Sequence, residues 1–154
     1  GLVFPGGESS TQRKLIRRFG LGTALENLVA DGVPVFATCA GMILASRHIE
    51  EREAGGFGWL DITVRRNGWG RQLFSFEAET SDHSLTPRET PLPMVFIRAP
   101  RIITCGDGVE VLVRFDGEPV MVRQQNVTAA TFHPELTADR RIYQQIFGNA
   151  TESP

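Results

Sequence analysis

The residue best suited to covalent chemistry is Cys39, which stands between an apolar run and a run of small residues. The stretch 33–45 is typical of a strand, a tight turn and a helix, because Ala40 and Gly41 leave room for a sharp turn around a reactive side chain. A thiol at the start of a helix lies at the positive end of the helix dipole, which favours the thiolate. The same pattern also fits a cysteine buried in an α/β core.

A cysteine nucleophile needs a base and a group that orients the base. His133 directly follows an apolar strand, where catalytic side chains of α/β sheets lie, and Glu135 is two residues further on. Pro134 favours extended backbone at His133, so both side chains are predicted to point the same way. A carboxylate there can hold the imidazole and stabilise its charged form. The pair also fits a surface turn whose charges are solvated.

The other two histidines are poorer candidates. A helix is predicted from Ala40 to about Ile49, and on it His48 lies roughly 13 Å along the axis from Cys39, too far for a hydrogen bond. His83 falls in a polar loop, residues 82–93, which is predicted to lie at the surface. No helical H-E-x-x-H and no P-C-x-x-C after H-x-E occurs, so no metal site is predicted.

A third motif, Pro-Gly-Gly-Glu-Ser at residues 5–9, joins a short strand to a helix. Free backbone N–H groups in such a turn can stabilise a tetrahedral intermediate. They can also cradle phosphate, but a Walker lysine and a G-x-G-x-x-G pattern are both missing. A plain glycine turn is the third interpretation.

Composition restricts the function classes. The chain has 154 residues, 41% hydrophobic and 22% charged, as expected for one globular domain. The net charge of −2 offers no electrostatic case for nucleic acid or an anionic membrane. The longest uncharged stretch is shorter than the roughly 20 residues of a membrane span. Cys39 and Cys105 form no CxxC pair, which favours a reducing compartment, predicted to be the cytoplasm.

The type of secondary structure predicted around these motifs changes along the chain. Helices alternate with apolar strands up to about residue 49, and strands dominate afterwards, which predicts a parallel α/β start with an antiparallel extension. Apolar spacing points Leu15, Ile16 and Phe19 inward on the first helix, Leu25, Leu28 and Val29 on the second, and Ile142, Ile146 and Phe147 on the last. The predicted helices are 8–19, 23–30, 40–49 and a last one from about 139, and the strands are 2–4, 33–36, 62–64, 73–78, 95–97, 109–115, 120–122 and 127–132. Because residues 1–4 resemble the end of a buried strand, at least one βα unit is expected upstream.

Together these motifs resemble the class I glutamine amidotransferases, and more closely the glutaminase subunits of pyridoxal 5'-phosphate synthase. The resemblance covers residues 1 to about 147. It is carried by the stretches 5–9, 38–41, 64–67, 70–72, 75–78, 95–100 and 132–135. It implies a flavodoxin-like three-layer sandwich with a mixed sheet. The chain, 1–154, would then be a single amidotransferase domain whose N-terminal portion, including the first βα unit, is absent.

The resemblance also implies an activity, the hydrolysis of L-glutamine to glutamate and ammonia through a thioester. Cys39 would be the nucleophile, with His133 as proton shuttle and Glu135 orienting it. N–H groups of Gly7 and Ala40 would form the oxyanion hole. The residues expected to contact glutamine are Gly7, Glu8, Ser9, Arg66, Ile97 and Arg98.

The implied partner is the synthase subunit, a (β/α)8 barrel that receives the ammonia; no cofactor or metal is implied for this chain. Two alternatives remain at this stage. One is another amidotransferase-type hydrolase with the same triad, against which the Arg66 and Arg98 stretches argue. The other is a truncated, catalytically impaired subunit that only binds the synthase, against which the complete triad argues.

Overall fold

A computed structural model describes residues 1–50, 55–68 and 75–148. The predicted strand start at Leu73 and the family-like stretch 70–72 lie outside these ranges. Within them the helices are α1 (Ser9–Arg18), α2 (Gly22–Ala30), α3 (Ala40–Ala45) and α4 (Arg141–Phe147), with a 3-10 turn at Pro134–Leu136. The strands are β1 (Leu2–Phe4), β2 (Val35–Thr38), β3 (Ser46–Ile49), β4 (Leu60–Arg65), β5 (Ser75–Thr80), β6 (Leu92–Ile97), β7 (Arg101–Cys105), β8 (Glu110–Phe115), β9 (Glu118–Gln124) and β10 (Val127–Ala130).

The central sheet has five strands in the order β1-β2-β10-β9-β8. β2 pairs in parallel with both β1 and β10, and the rest of the sheet is antiparallel. This confirms the predicted parallel start and antiparallel extension. Asp116 and Gly117 form the turn between β8 and β9 with positive φ at both positions, +49° and +77°, as a tight hairpin turn requires.

Both faces of this sheet are covered, because side chains alternate along each strand. Val35 and Ala37 of β2 belong to one apolar cluster, which includes α3 and β4 and against which α1 and α2 pack. Phe36 belongs to the other cluster, with β6 and with Ile142 of α4. The predicted three-layer arrangement with a mixed sheet is therefore confirmed. Smaller sheets complete the layers, with the orders β3-β4-β7 and β5-β6.

The predicted helix 40–49 is wrong in its second half. α3 ends at Ala45, and β3 follows at once, paired in parallel with β4. Ser46 turns extended, and its hydroxyl caps the helix by donating to the Ile43 carbonyl at 2.9 Å. The backbone N–H groups of Gly56 and Phe57 bind the Ser46 and Leu44 carbonyls, which a longer helix would have used. His48 is thus an exposed strand residue.

Other differences follow from local pairing. β7 was not predicted, because its apolar run is short, but it pairs with β4. The predicted surface loop 82–93 contains the fully buried Leu85, and its last two residues belong to β6. The predicted strand 127–132 ends at Ala130, and α4 begins at Arg141 with the Asp139 carboxylate accepting from its N–H.

Several apolar side chains predicted to be inward are exposed. Ile16, Leu25 and Val29 pack against the core as expected. The side chains that are exposed despite this prediction have 37–66% of their surface accessible; they are Leu15, Phe19, Leu28 and Phe147. β1 is an end strand of the central sheet.

Among the described residues, no helix is both long and apolar enough to cross a bilayer.

Candidate active site

Cys39 lies at the turn between β2 and α3. Its backbone has a φ of +48° and a ψ of −104°, a conformation that non-glycine residues rarely adopt and that is concentrated at functional sites. The Cys39 N–H donates to the Ala130 carbonyl at 2.9 Å, which ties the turn to β10. Only 7% of the residue is exposed, and its Sγ lies 3.8 Å from the carbonyl oxygen of Ile97. The strained turn matches the predicted elbow.

His133 follows β10, the parallel neighbour of β2, so the carboxyl ends of both strands meet at one edge of the sheet. Its N–H donates to the Val95 carbonyl at 2.8 Å, which fixes the backbone against β6. The His133 Nδ1 lies 2.7 Å from Oε1 of Glu135, so the carboxylate is hydrogen-bonded to the ring. His133 is 8% exposed, whereas 42% of the Glu135 side chain is accessible.

The electrostatics of this pair favour a charged imidazole. The pKa of His133 is raised from 6.5 to about 9. The interaction with the Cys39 side chain contributes most, and the Glu135 carboxylate adds to it, while burial acts in the opposite direction. The His133 imidazole is therefore mostly protonated at neutral pH.

The glycine turn packs directly against the histidine. A Cβ added at Gly6 would collide with the His133 ring, so this position requires glycine. Gly7 has a φ of +124°, which side chains disfavour. Glu8 caps α1 by accepting from the Thr11 N–H at 2.8 Å, and this bond contributes most to lowering its pKa to about 2. The turn therefore holds an ionised carboxylate at the mouth of the site.

Two arginines complete the site. Arg66 follows β4 and donates from Nη2 to Oε1 of Glu8 at 2.8 Å. Arg98 follows β6 with a φ of +43°, another uncommon backbone conformation for a non-glycine residue. Together with the turns, these residues enclose a cavity of about 200 Å³, below the roughly 300–1,000 Å³ of clefts that take drug-sized ligands. It is lined by Gly7, Glu8, Ser9, Cys39, Ala40, Ile43, Arg66, Asn67, Ile97, Arg98 and His133.

Every site residue predicted from the sequence is therefore in the cavity or, for Glu135, hydrogen-bonded to its histidine. Two lining residues were not predicted, Ile43 and Asn67. Asn67, with a φ of +50°, directly follows Arg66, and this adjacency was the signal for it. Ile43 lies one turn into α3 from Cys39, so helical spacing alone would have placed it there.

A larger cavity of about 450 Å³ lies between α1, the start of α2 and Phe57. Arg13, Arg17 and Thr23 are its polar lining residues, and neither a cysteine nor a histidine is among them. The larger cavity is thus not the one that contains the candidate catalytic residues Cys39 and His133. No cluster of three or more potential metal ligands occurs within residues 1–50, 55–68 and 75–148.

Comparison with known proteins agrees with this geometry. The model of the SNO glutamine amidotransferase family matches residues 1–152. The chain belongs to this family. Membership confirms the predicted enzyme class, a glutamine amidotransferase.

Named relatives and a solved structure extend the match. Subunit PdxT of pyridoxal 5'-phosphate synthase from Kosmotoga olearia is 48% identical over 145 residues, which are 94% of this chain and 74% of the relative. The PdxT subunit from Methanothrix thermoacetophila is 44% identical, with 95% of this chain and 77% of the relative covered. A crystal structure of a glutamine amidotransferase aligns with a TM-score of 0.85 at 41% identity, covering 94% of this chain and 75% of that one. These matches confirm the resemblance and the fold predicted from the motifs.

Proposed function

We propose that this chain is the glutaminase of a pyridoxal 5'-phosphate synthase, hydrolysing L-glutamine and supplying the ammonia for vitamin B6 synthesis. The observation that carries the proposal is the meeting of Cys39 and His133 in one small cavity of a glutamine amidotransferase, with Glu135 hydrogen-bonded to His133. The names of the relatives, which are subunits of that synthase, supply the biosynthetic context.

The first half of the reaction forms a thioester. The Cys39 thiolate attacks the side-chain amide carbon of glutamine, and the carbonyl oxygen becomes an oxyanion. When the tetrahedral intermediate collapses, the C–N bond breaks and the His133 imidazolium donates its proton to the departing nitrogen, which leaves as ammonia. Glu135 stabilises the imidazolium before this transfer.

The second half regenerates the enzyme. Neutral His133 takes a proton from water, and the resulting hydroxide attacks the thioester carbon. The C–S bond then breaks, Cys39 returns to the thiolate, and glutamate leaves. The same histidine thus acts as acid in one half-reaction and as base in the other.

The oxyanion in both halves would be bound by the N–H groups of Gly7 and Ala40. Both residues line the cavity beside Cys39. Within the described part of the chain, neither N–H donates to a protein acceptor, so both are available to a ligand. Preorganised donors of this kind are worth about 10²–10³ in kcat each.

The remaining lining residues would hold the amino-acid end of glutamine. Arg66 and Arg98 offer guanidinium groups for the α-carboxylate, a geometry for which arginine is suited. The Glu8 carboxylate, ionised because its pKa is about 2, would accept from the α-ammonium group. Ser9 and Ile97 would contact the rest of the substrate.

The proposal includes a partner and a compartment. The partner is the synthase subunit, a (β/α)8 barrel into which ammonia passes. In the complex with this partner, residues 1–154 act as a single amidotransferase domain. Both Cys39 and Cys105 are free thiols, as suits the cytoplasm, where disulfides are rare.

The decisive test is Cys39→Ala. We expect ammonia release from glutamine, measured with the synthase subunit present, to fall at least about a thousandfold, because the nucleophile is lost. Binding to the synthase subunit should be retained. Cys105→Ala is the matched control, since this second thiol lies in β7 outside the cavity, and its activity should stay at the wild-type level.

Three outcomes separate the alternatives. Activity that persists in Cys39→Ala would overturn the triad assignment. A wild-type chain that binds the synthase subunit without releasing ammonia would be a binding subunit only. Ammonia release that the synthase subunit does not capture would indicate an amidotransferase-type hydrolase with another acceptor.

A further inference from the structure

Gln12, a residue outside the cavity lining, bonds directly to the turn that carries one of the two oxyanion donors. It lies in the second turn of α1, where its N–H donates to the Glu8 carbonyl at 3.0 Å. Its side-chain Nε2 donates to the carbonyl oxygens of Pro5 and Gly6, both at 3.0 Å. Both hydrogens of the amide are therefore used on two successive peptide units of one turn.

The orientation of this side-chain amide is unambiguous. The Oε1 atom of Gln12 is buried and has no partner in the described part of the chain. Turning the amide over would place Oε1 against two carbonyl oxygens, which only accept. The side chain thus leaves its own acceptor unsatisfied, at a free-energy cost, and keeps both donors on the turn.

The hydrogen bond to the Gly6 carbonyl fixes the orientation of the Gly6–Gly7 peptide. In a trans peptide the C=O and the next N–H point in opposite directions. Because the Gly6 carbonyl points at Gln12, the N–H of Gly7 points away from Gln12. Gly7 lines the cavity with Cys39 whereas Gln12 does not, and we therefore place the cavity on the side of the peptide to which this N–H points.

The turn needs such a restraint. Gly6 and Gly7 have no Cβ, so they are less restricted in φ and ψ than residues with a side chain. The N–H of Gly7 makes no protein hydrogen bond within the described residues that would hold the peptide from the cavity side. Rotation of this one peptide would exchange an N–H for a carbonyl oxygen at the site, and the carbonyl would repel an oxyanion.

We infer that Gln12 is a positioning residue, which holds the Gly6–Gly7 peptide with its N–H directed at the oxyanion. The inference rests on the proposed glutaminase function. It predicts that Gln12 affects the steps that create an oxyanion and no others. Substrate binding and the nucleophilicity of Cys39 depend on other side chains.

The test is Gln12→Met, which keeps the length of the side chain and removes both donors. With saturating synthase subunit, we expect kcat for ammonia release to fall about ten- to a hundredfold, less than the 10²–10³ lost with a whole oxyanion donor. KM for glutamine should change less than threefold. Gln12→Glu, which opposes the two carbonyls with a carboxylate, should lose more activity than Gln12→Met.

A second measurement distinguishes positioning from structural damage. Iodoacetamide alkylates a thiolate by displacing iodide, and this reaction forms no oxyanion. The rate of Cys39 alkylation, measured by peptide mass spectrometry so that Cys105 is scored separately, should be the same in Gln12→Met and wild type. A collapsed site would slow both alkylation and ammonia release.

The control is Lys14→Met, an exposed position two residues along α1, which should leave kcat unchanged. A Gln12→Met enzyme with wild-type kcat would overturn the inference, and so would equal losses of alkylation and ammonia release. Failure of the glutaminase function itself would be visible separately, as Cys39-independent or absent ammonia release in the wild-type chain.

Discussion

At the level of single residues, the proposed mechanism depends on the charge state of one histidine. Because the pKa of His133 is raised from 6.5 to about 9, the imidazolium persists across neutral pH. The Cys39 side chain contributes most to this shift, and Glu135 contributes next among the groups that raise it. The proton that the departing ammonia needs is therefore already on the ring.

The sign of the pH dependence follows directly. The protonated form of His133 is the acid, so kcat/KM should be flat below the raised pKa and fall as the pH rises through about 9. In Glu135→Gln the carboxylate no longer favours the imidazolium, so the alkaline limb should move to lower pH and kcat should fall about 10²–10⁴-fold. A pH–rate profile between pH 6 and 10.5 measures both effects.

His48→Gln is the control for this profile, since His48 is exposed on β3 and outside the cavity. Its profile should match that of the wild type. An alkaline limb that stays in place in Glu135→Gln would contradict the role assigned to Glu135.

At the level of the elements, the close approach of α3 to β1 positions the nucleophile. A Cβ added at Gly41 would collide with the backbone carbonyl of Phe4, which cannot move without displacing β1. Glycine at this position thus lets the start of α3, with Cys39 just before it, lie against the strand that leads into the Gly6–Gly7 turn. This contact, together with the parallel pairing of β1 and β2, joins the two halves of the site.

Gly41→Ala should therefore lower the free energy of unfolding by about 1–3 kcal/mol, the usual cost of overpacking. Urea denaturation followed by circular dichroism measures the loss. Gly22→Ala is the matched control, because a Cβ there meets open space, and it should change stability by less than about 1 kcal/mol. Equal stability of the two variants would show that the contact at Gly41 relaxes freely.

At the level of the whole molecule, one buried cation connects segments far apart in the chain. The Arg141 guanidinium, 9% exposed, donates to the carbonyls of Pro87, Thr90 and Pro91 and to the Asp139 carboxylate. α4 is thereby attached to the loop before β6. Since β6 carries Ile97 and leads into Arg98, the connection supports one wall of the cavity.

Arg141→Met should destabilise the fold by about 3–5 kcal/mol, because the half-buried Asp139 loses its partner and three carbonyls lose their donor. Arg123→Met provides the comparison. Arg123 pairs with Glu110 at the surface, where their side chains are 39% and 54% exposed and such a pair is worth about 0–1 kcal/mol. Thermal unfolding of both variants decides whether burial makes the difference.

Sequence reasoning located the candidate site residues because the motifs are local. Cys39 after an apolar strand, and the His133–Glu135 spacing, follow from period-two geometry and turn sterics alone. The parallel start and the two faces of β2 also follow from apolar patterning. The end of α3 was missed, because nothing within residues 40–49 shows that Gly56 and Phe57 will bind the helix carbonyls.

Which residues are candidates for reaction could thus be predicted from local patterns along the chain. Their distances and charge state depend on contacts between residues up to about a hundred positions apart, such as Cys39 and His133 in the cavity. The role inferred for Gln12 belongs to this second kind. Its amide reaches Pro5 and Gly6 because the start of α1 lies beside the turn that precedes this helix. The spacing of residues in the sequence does not show which peptide a flexible side chain will bind.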